Sequence, residues 1–96
     1  MSSKYDELHN YSNLEEVKHK AFKLGIRSPV EISSRKDKKY MIKLKNGKFV
    51  HFGQMGYEDY TKHCDPIRRE LFRKRNRRWF LAPIMSPAWL AYNLLW

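Results

Sequence analysis

The chain has 96 residues, the size of one domain, and 20 Lys/Arg against 10 Asp/Glu give it a net charge of +10. Its single cysteine cannot form an intrachain disulfide, and its polar N-terminus lacks the apolar segment of a signal peptide, so we expect a protein that is not secreted. The whole charge excess lies in residues 35–79, because acidic and basic residues balance in residues 1–34 and residues 80–96 are uncharged. Charge so concentrated attracts polyanions, and nucleic acid is the first partner to consider.

The N-terminal third predicts a flexible arm followed by one helix. Residues 1–11 are polar and predict the arm. A helix over residues 12–25 is indicated by Ser12 and Glu15, which have the spacing of a capping box, and by Gly25, which is suited to follow the last helical turn. Four apolar residues recur at helical spacing: Leu14, Val17, Ala21 and Leu24.

Residues 30–53 predict a small antiparallel sheet of two or three strands. Val30–Ser33 alternates apolar and polar residues, and Asn46-Gly47 lies between two further alternating runs, which is typical of a β-hairpin. A three-residue loop ending in a left-handed Gly47 brings the apolar residues of both strands to one face, whereas a slip of one residue scatters them. This register gives two cross-strand pairs, Tyr40 with Phe52 and Ile42 with Val50.

A basic helix is predicted over residues 65–78. It begins at Asp65-Pro66, because aspartate accepts hydrogen bonds from free N–H groups and proline suits the first helical position. Ile67 and Leu71, with Phe72 as a third candidate, are expected to dock its first two turns. Cations surround the later turns, and burying them against protein would be costly, so they must stay in water or meet an anion. Seven basic residues contribute: Arg68, Arg69, Arg73, Lys74, Arg75, Arg77 and Arg78.

An apolar helix is predicted over residues 86–96, with Ser86 as its N-cap and Pro87 at its first position. Three interpretations remain open: the helix completes the core, docks on a partner or another copy of the chain, or lies in a membrane. Pro83 and Pro87 interrupt the apolar run, which makes a membrane location unlikely. The residues predicted to dock on a partner are Trp89, Leu90, Leu94 and Trp96.

No metal site, cofactor or catalytic residue is predicted. The four histidines show no paired ligand spacing, and a single cysteine cannot build a usual structural zinc site. His63 and Cys64 are neighbours, whose side chains point apart, and no oxyanion element or glycine-rich phosphate loop accompanies them. Five aromatics could stack on bases, but in so small a domain we expect them in the core, with Phe49 as the exception: Tyr40, Phe49, Phe52, Tyr57 and Tyr60.

Residues 38–96 carry several characteristic strings. They are HFG at 51–53, GYEDYTKH at 56–63, DPIRR at 65–69 and SPAWLAYNLLW at 86–96. In this order they resemble a small family of uncharacterised proteins encoded by nucleocytoplasmic large DNA viruses, the giant viruses. The resemblance implies no activity and no catalytic residue. It implies a viral setting, in the virion or in a viral factory in the host cytoplasm or nucleus.

The sequence therefore predicts a single α+β domain over residues 1–96, with a small antiparallel sheet, an N-terminal helix, a basic helix and an apolar C-terminal helix. Our leading hypothesis is a non-enzymatic, sequence-independent DNA-binding protein that condenses or packages a viral genome by neutralising phosphates. The alternative is a minor structural protein of the virion that docks through its C-terminal helix. The expected phosphate contacts are Lys43, Lys45, Lys48, Arg68, Arg69, Arg73, Lys74, Arg75, Arg77 and Arg78.

Overall fold

The computed structural model describes residues 3–96 and has the predicted α+β fold, with a three-stranded antiparallel sheet of order β1-β2-β3. The N-terminal and C-terminal helices that were predicted are present. In chain order the elements are α1 (Lys4–His9), α2 (Leu14–Lys23), β1 (Val30–Ile32), β2 (Lys38–Lys43), β3 (Phe49–Gln54), α3 (Tyr60–His63), α4 (Pro66–Arg75), a 3₁₀ helix (Arg77–Leu81), α5 (Pro87–Leu90) and a π-helical segment (Ala91–Leu95).

The hairpin of β2 and β3 has the predicted loop and register. Tyr40 lies opposite Phe52 and Ile42 lies opposite Val50, which confirms the three-residue loop. Gly47 is left-handed at φ 86°, a conformation that glycine adopts without a steric penalty. Tyr40, Ile42 and Phe52 share one face of the sheet and are all buried, so this face packs against the rest of the core.

The flexible arm predicted for residues 1–11 is wrong within the described part of the chain; Met1 and Ser2 lie outside it. Ser3 and Asp6 form a capping box at the start of α1, in which each side chain accepts a hydrogen bond from the other residue's backbone N–H. Leu8 is 1% exposed and belongs to the core. The arm is anchored by this leucine and by hydrogen bonds from Lys4 to the main-chain oxygens of Ser33 and Arg35, and one apolar residue gives no periodic signal in the sequence.

The capping box predicted at the start of the second helix is also wrong. Asn13 is the N-cap of α2, and its side-chain oxygen accepts a hydrogen bond from the backbone N–H of Glu16 at 3.2 Å. Ser12 is fully buried instead. Ser12 does not cap the helix, because its hydroxyl forms hydrogen bonds in a buried polar network. The predicted stop at Gly25 is confirmed, since Gly25 follows the C-cap residue and is left-handed at φ 78°.

A buried polar network joins the N-terminal segment, the sheet and the connector before α4. The Tyr40 hydroxyl donates to Ser12 Oγ at 2.6 Å, and Ser12 Oγ lies 3.2 Å from Thr61 Oγ1. The Thr61 hydroxyl donates to Asp59, and Lys39 Nζ lies 3.0 Å from Asp59 Oδ2. Burial raises the pKa of Tyr40 and lowers the pKa of Lys39. Every member is hydrogen-bonded, which is what makes their burial tolerable.

The C-terminal helix is part of the core. Ser86 caps it through a hydrogen bond from the backbone N–H of Trp89 at 3.3 Å. Leu90 and Leu94 are 0% exposed, so the prediction that they dock on a partner is wrong: burying them against the sheet completes a core that the sheet alone cannot close. Trp89 and Trp96, the other two residues of that prediction, are half-buried against the same core.

The basic helix begins where predicted and ends earlier. The Asp65 side chain accepts hydrogen bonds from two free N–H groups of the first turn, and Pro66 occupies the first helical position. Helix α4 then ends at Arg75 rather than at Arg78, because Asn76 departs from helical geometry, at φ −110° and ψ 30°, and leads into the 3₁₀ helix. No helix within residues 3–96 combines the length and apolarity that crossing a membrane requires.

Candidate nucleic-acid interface

Aromatic stacking of Phe72, the third docking candidate, attaches α4 to the rest of the protein, whereas the two aliphatic candidates do not. The Phe72 ring stacks on the Trp96 ring with 4.1 Å between centroids and 5° between planes, and the edge of Trp79 meets Phe72 at 5.7 Å. Ile67 and Leu71 are 70% and 58% exposed, so the prediction that they dock the helix is wrong. Phe72 faces the core, and this places Ile67 and Leu71 on the outer side of the helix.

Two of the predicted phosphate contacts are used inside the fold. Arg69 Nε lies 2.6 Å and Arg73 Nη2 3.0 Å from the main-chain oxygen of Trp96. The Arg69 guanidinium also lies over the ring of Tyr60, with 4.6 Å from Cζ to the ring centroid. Burial and the neighbouring Arg69 lower the pKa of Arg73. These two arginines therefore hold α4 against the C-terminal helix, and we remove them from the set of free phosphate contacts.

The other basic residues of this region are exposed and form what we term the helix cluster: Arg68, Lys74, Arg75, Arg77 and Arg78. Within residues 3–96, the carboxylate found within 4 Å of a cluster member is that of Glu58, 3.7 Å from Arg68 Nη1. Both side chains of that pair are about half exposed, at 52% and 42%, and such a pair contributes at most about 1 kcal/mol. The helix cluster is thus a cationic surface that the protein itself barely neutralises.

The three predicted lysines of the hairpin are exposed as well, and we term them the hairpin cluster: Lys43, Lys45 and Lys48. They lie at the turn end of the hairpin, whereas Lys38, opposite Gln54, lies at the other end and lines the same cleft as Arg68 and Arg75. Five residue steps along β2 separate Lys38 from Lys43, which is about 17 Å. The structure therefore divides the predicted phosphate-binding surface into two clusters at opposite ends of the hairpin.

A cleft of about 610 Å³ opens between the end of the hairpin, α4 and α5. Its deep part is apolar, with Phe52, Ala91 and Leu95, and its upper walls carry Tyr57 and Trp79. We term it the aromatic cleft. Tyr57, which the sequence predicted to be in the core, is 70% exposed. Neither the cleft nor the position of Lys38 beside it was predicted from the sequence. The left-handed Gly56, at φ 97°, was the available signal, since it turns the chain outward before Tyr57.

The polar residues around His63 stabilise the local backbone through hydrogen bonds and a helix cap. His63 Nδ1 accepts a hydrogen bond from the backbone N–H of Asp65 at 3.0 Å, and Asp65 caps α4 as predicted. Burial, and then the nearby Arg68, lower the pKa of His63. Cys64 is exposed and left-handed at φ 53°. Across the described residues 3–96, no group of three His, Cys, Asp or Glu side chains is arranged to hold a metal ion.

A sequence model of DUF5754, a family of unknown function, matches residues 29–76, which is half of the chain. Neither the curated proteins nor the solved structures yield a match to this chain. The matched region comprises the whole sheet, the buried Lys39–Asp59 pair and α4. The helix cluster lies within it up to Arg75, and the two last cluster members follow directly.

Proposed function

The chain belongs to the DUF5754 family of unknown function, and we propose that it is a non-enzymatic, sequence-independent DNA-binding protein. The helix cluster is the observation that carries this proposal: five exposed cations lie within eleven residues of α4 and the 3₁₀ helix, and within residues 3–96 one weak surface ion pair is their compensation. A cationic surface of this kind recruits a polyanion by electrostatic attraction, without any requirement for base sequence.

The mechanism is phosphate neutralisation. Four of the five cluster members are arginines, whose planar guanidinium groups can contact two phosphate oxygens at once. Each phosphate neutralised on a duplex releases condensed counterions, so five contacts give a slope of log affinity against log salt of about −4.5. The proposal requires no base readout, since phosphate contacts carry no sequence information.

The biological role that fits this activity is condensation or packaging of a viral genome. This part of the proposal rests on the resemblance to proteins of giant viruses, which implies a setting in the virion or the viral factory. Co-purification of the protein with DNA from disrupted virus particles, lost when the DNA is digested, would support the role. The alternative of docking through Trp89, Leu90, Leu94 and Trp96 is not proposed, because Leu90 and Leu94 are fully buried and both tryptophans pack against the same core.

Fluorescence anisotropy with two duplexes of unrelated sequence tests the activity. We expect equal affinities for both duplexes and a linear loss of log affinity between about 50 and 200 mM salt. Lys74→Gln combined with Arg75→Gln removes two contacts, so the slope should become shallower by about 1.8. Absence of binding at the lowest salt would refute the proposal.

The matched control is Lys18→Gln combined with Lys23→Gln. These two lysines are exposed on α2, and the double substitution removes the same charge without touching the helix cluster. We expect its salt slope to equal that of the wild type. If the control weakens binding as strongly as the α4 variant, affinity follows overall charge and the helix cluster has no special role.

A further inference from the structure

The aromatic cleft has a feature that duplex binding does not use: the exposed side chain of Tyr57 together with the half-buried ring of Trp79. The Tyr57 ring is 70% exposed and makes no ring–ring contact with any residue of the described chain. Trp79 is half-buried and meets Phe72 through an edge contact, at an interplanar angle of 78°. Uncovered rings on the walls of an apolar cleft can stack on a planar ligand.

The charges around the cleft select an anion. Lys38, Arg68 and Arg75 line it, and the carboxylate among the lining side chains is Glu58, already paired with Arg68 at 3.7 Å. Lys39, which also lines the cleft, is neutralised by Asp59. The balance is a surplus of positive charge beside an apolar, aromatic interior. A planar aromatic group joined to a phosphate has this combination, and a nucleotide unit of a DNA strand is such a group.

We propose that the aromatic cleft takes an unpaired base, so that the protein binds single-stranded DNA in preference to a duplex. The base would lie against Tyr57 and Trp79, and the adjoining phosphates would meet Arg68 and Arg75. The volume of about 610 Å³ is within the usual range of small-molecule sites, about 300–1,000 Å³. A base inside a duplex is stacked and paired and cannot enter, whereas an unpaired base enters without that penalty.

This inference rests on the proposed DNA binding and adds a preference that the helix cluster alone does not produce. Phosphate contacts attract either form of DNA, and the salt dependence per contact is smaller for a single strand, so these contacts do not favour it over the duplex. Stacking of one base on an aromatic side chain typically contributes about 1–3 kcal/mol, which corresponds to about 5- to 140-fold in affinity. The single strand should gain this factor and the duplex should not.

The test compares an oligothymidylate with the same strand annealed to its complement, at one fixed salt concentration. We expect tighter binding of the single strand, with quenching of tryptophan fluorescence from Trp79. Tyr57→Ala should weaken single-strand binding about 5- to 140-fold and leave duplex binding unchanged. The fold should tolerate this change, because Lys39 contacts the main-chain oxygen of Tyr57 at 2.5 Å and not its ring. Tyr5→Ala, at a 45% exposed tyrosine of α1, is the matched control.

A second pair of variants fills space instead of removing it. Ala88 lines the cleft, so Ala88→Phe should block it and abolish the single-strand preference, while Ala82→Phe, outside the cleft lining, should not. Equal affinities for both DNA forms, unaffected by Tyr57→Ala, would overturn the inference and leave the proposed function standing. Absence of binding to either form would overturn both. An acidic peptide that binds through Tyr57, when the single strand does not, would also overturn the inference.

Discussion

Asp59→Asn tests whether the buried ion pair with Lys39 holds the domain together. The two side chains are 3% and 1% exposed, and their charged atoms are 3.0 Å apart. Neutralising the aspartate leaves the lysine ammonium buried with main-chain oxygens as partners, those of Tyr57 at 2.5 Å and Tyr11 at 3.5 Å. The substitution should therefore be strongly destabilising, because a buried charge without a counter-charge is poorly compensated by dipoles.

Removing one partner of a buried pair typically costs about 3–5 kcal/mol. We expect the lower end, about 3 kcal/mol, because the two main-chain oxygens still solvate the ammonium in part. The total stability of a domain of this size is about 5–15 kcal/mol, so the loss is a large fraction of it. At about 4–8 °C per kcal/mol, the thermal midpoint should fall by about 12–24 °C.

Urea denaturation followed by circular dichroism measures this loss, and Glu58→Gln is the control. Glu58 is the preceding residue and also pairs with a cation, but its pair with Arg68 is exposed and 3.7 Å long, so its loss should cost at most about 1 kcal/mol. The double variant Lys39→Met with Asp59→Asn should lose less than the sum of its two single changes, because no buried charge remains. Equal effects of Asp59→Asn and Glu58→Gln would refute a desolvated pair.

Two further predictions concern packing and pH. Gly47→Ala and Gly53→Ala both place a side chain at a left-handed glycine, at φ 86° and 82°, and each should cost about 1–2 kcal/mol for that reason. An added Cβ meets nothing within 4 Å at Gly47, but at Gly53 it lies 2.8 Å from Leu95 Cδ1. Gly53→Ala should therefore lower the free energy of unfolding, measured by urea denaturation, by about 1–3 kcal/mol more than Gly47→Ala. Equal losses in the two variants would contradict this packing. His63 has a pKa below its usual 6.5, mainly through burial, so near and below pH 6.5 this residue binds more protons in the unfolded chain than in the folded one. The free energy of unfolding should therefore fall as the pH is lowered through 6.5. His63→Gln should flatten the fall; an unchanged slope in this variant would show that other groups cause it, among them His51, whose pKa is also lowered by burial.

Local signals in the sequence predicted those elements whose structure is decided locally. Asn46-Gly47 indicated the hairpin, and alternation then fixed the pairing of Tyr40 with Phe52, because a shifted register would turn apolar residues to water. Asp65-Pro66 indicated the start of α4, because an N-cap depends only on residues within the first turn of the helix.

What the sequence did not predict depends on partners distant along the chain. Lys38 and Lys39 are adjacent residues of the same type, so the sequence does not show which of them is buried. Lys39 is the buried one, and its partner is Asp59, twenty residues later. Ser12 was assigned to a helix cap, although its partners are Tyr40 and Thr61, 28 and 49 residues away. Local sequence patterns cannot predict such contacts, because a hydrogen bond or ion pair between distant residues stabilises the fold only where burial excludes competing water.

The basic helix shows how this limit affects a functional prediction. Counting charges treats all seven of its cations as equivalent, but Phe72 faces the core, and Arg69, three residues earlier and therefore on the same side, faces it too. Seven free phosphate contacts would give a duplex salt slope of about −6.3, five give about −4.5, and all ten residues first predicted would give about −9. The measured slope therefore reports how many cations contact phosphate, and a value steeper than about −7.2, the slope for the five helix and three hairpin residues that are exposed, would mean that further cations, such as Arg69 and Arg73, contact DNA.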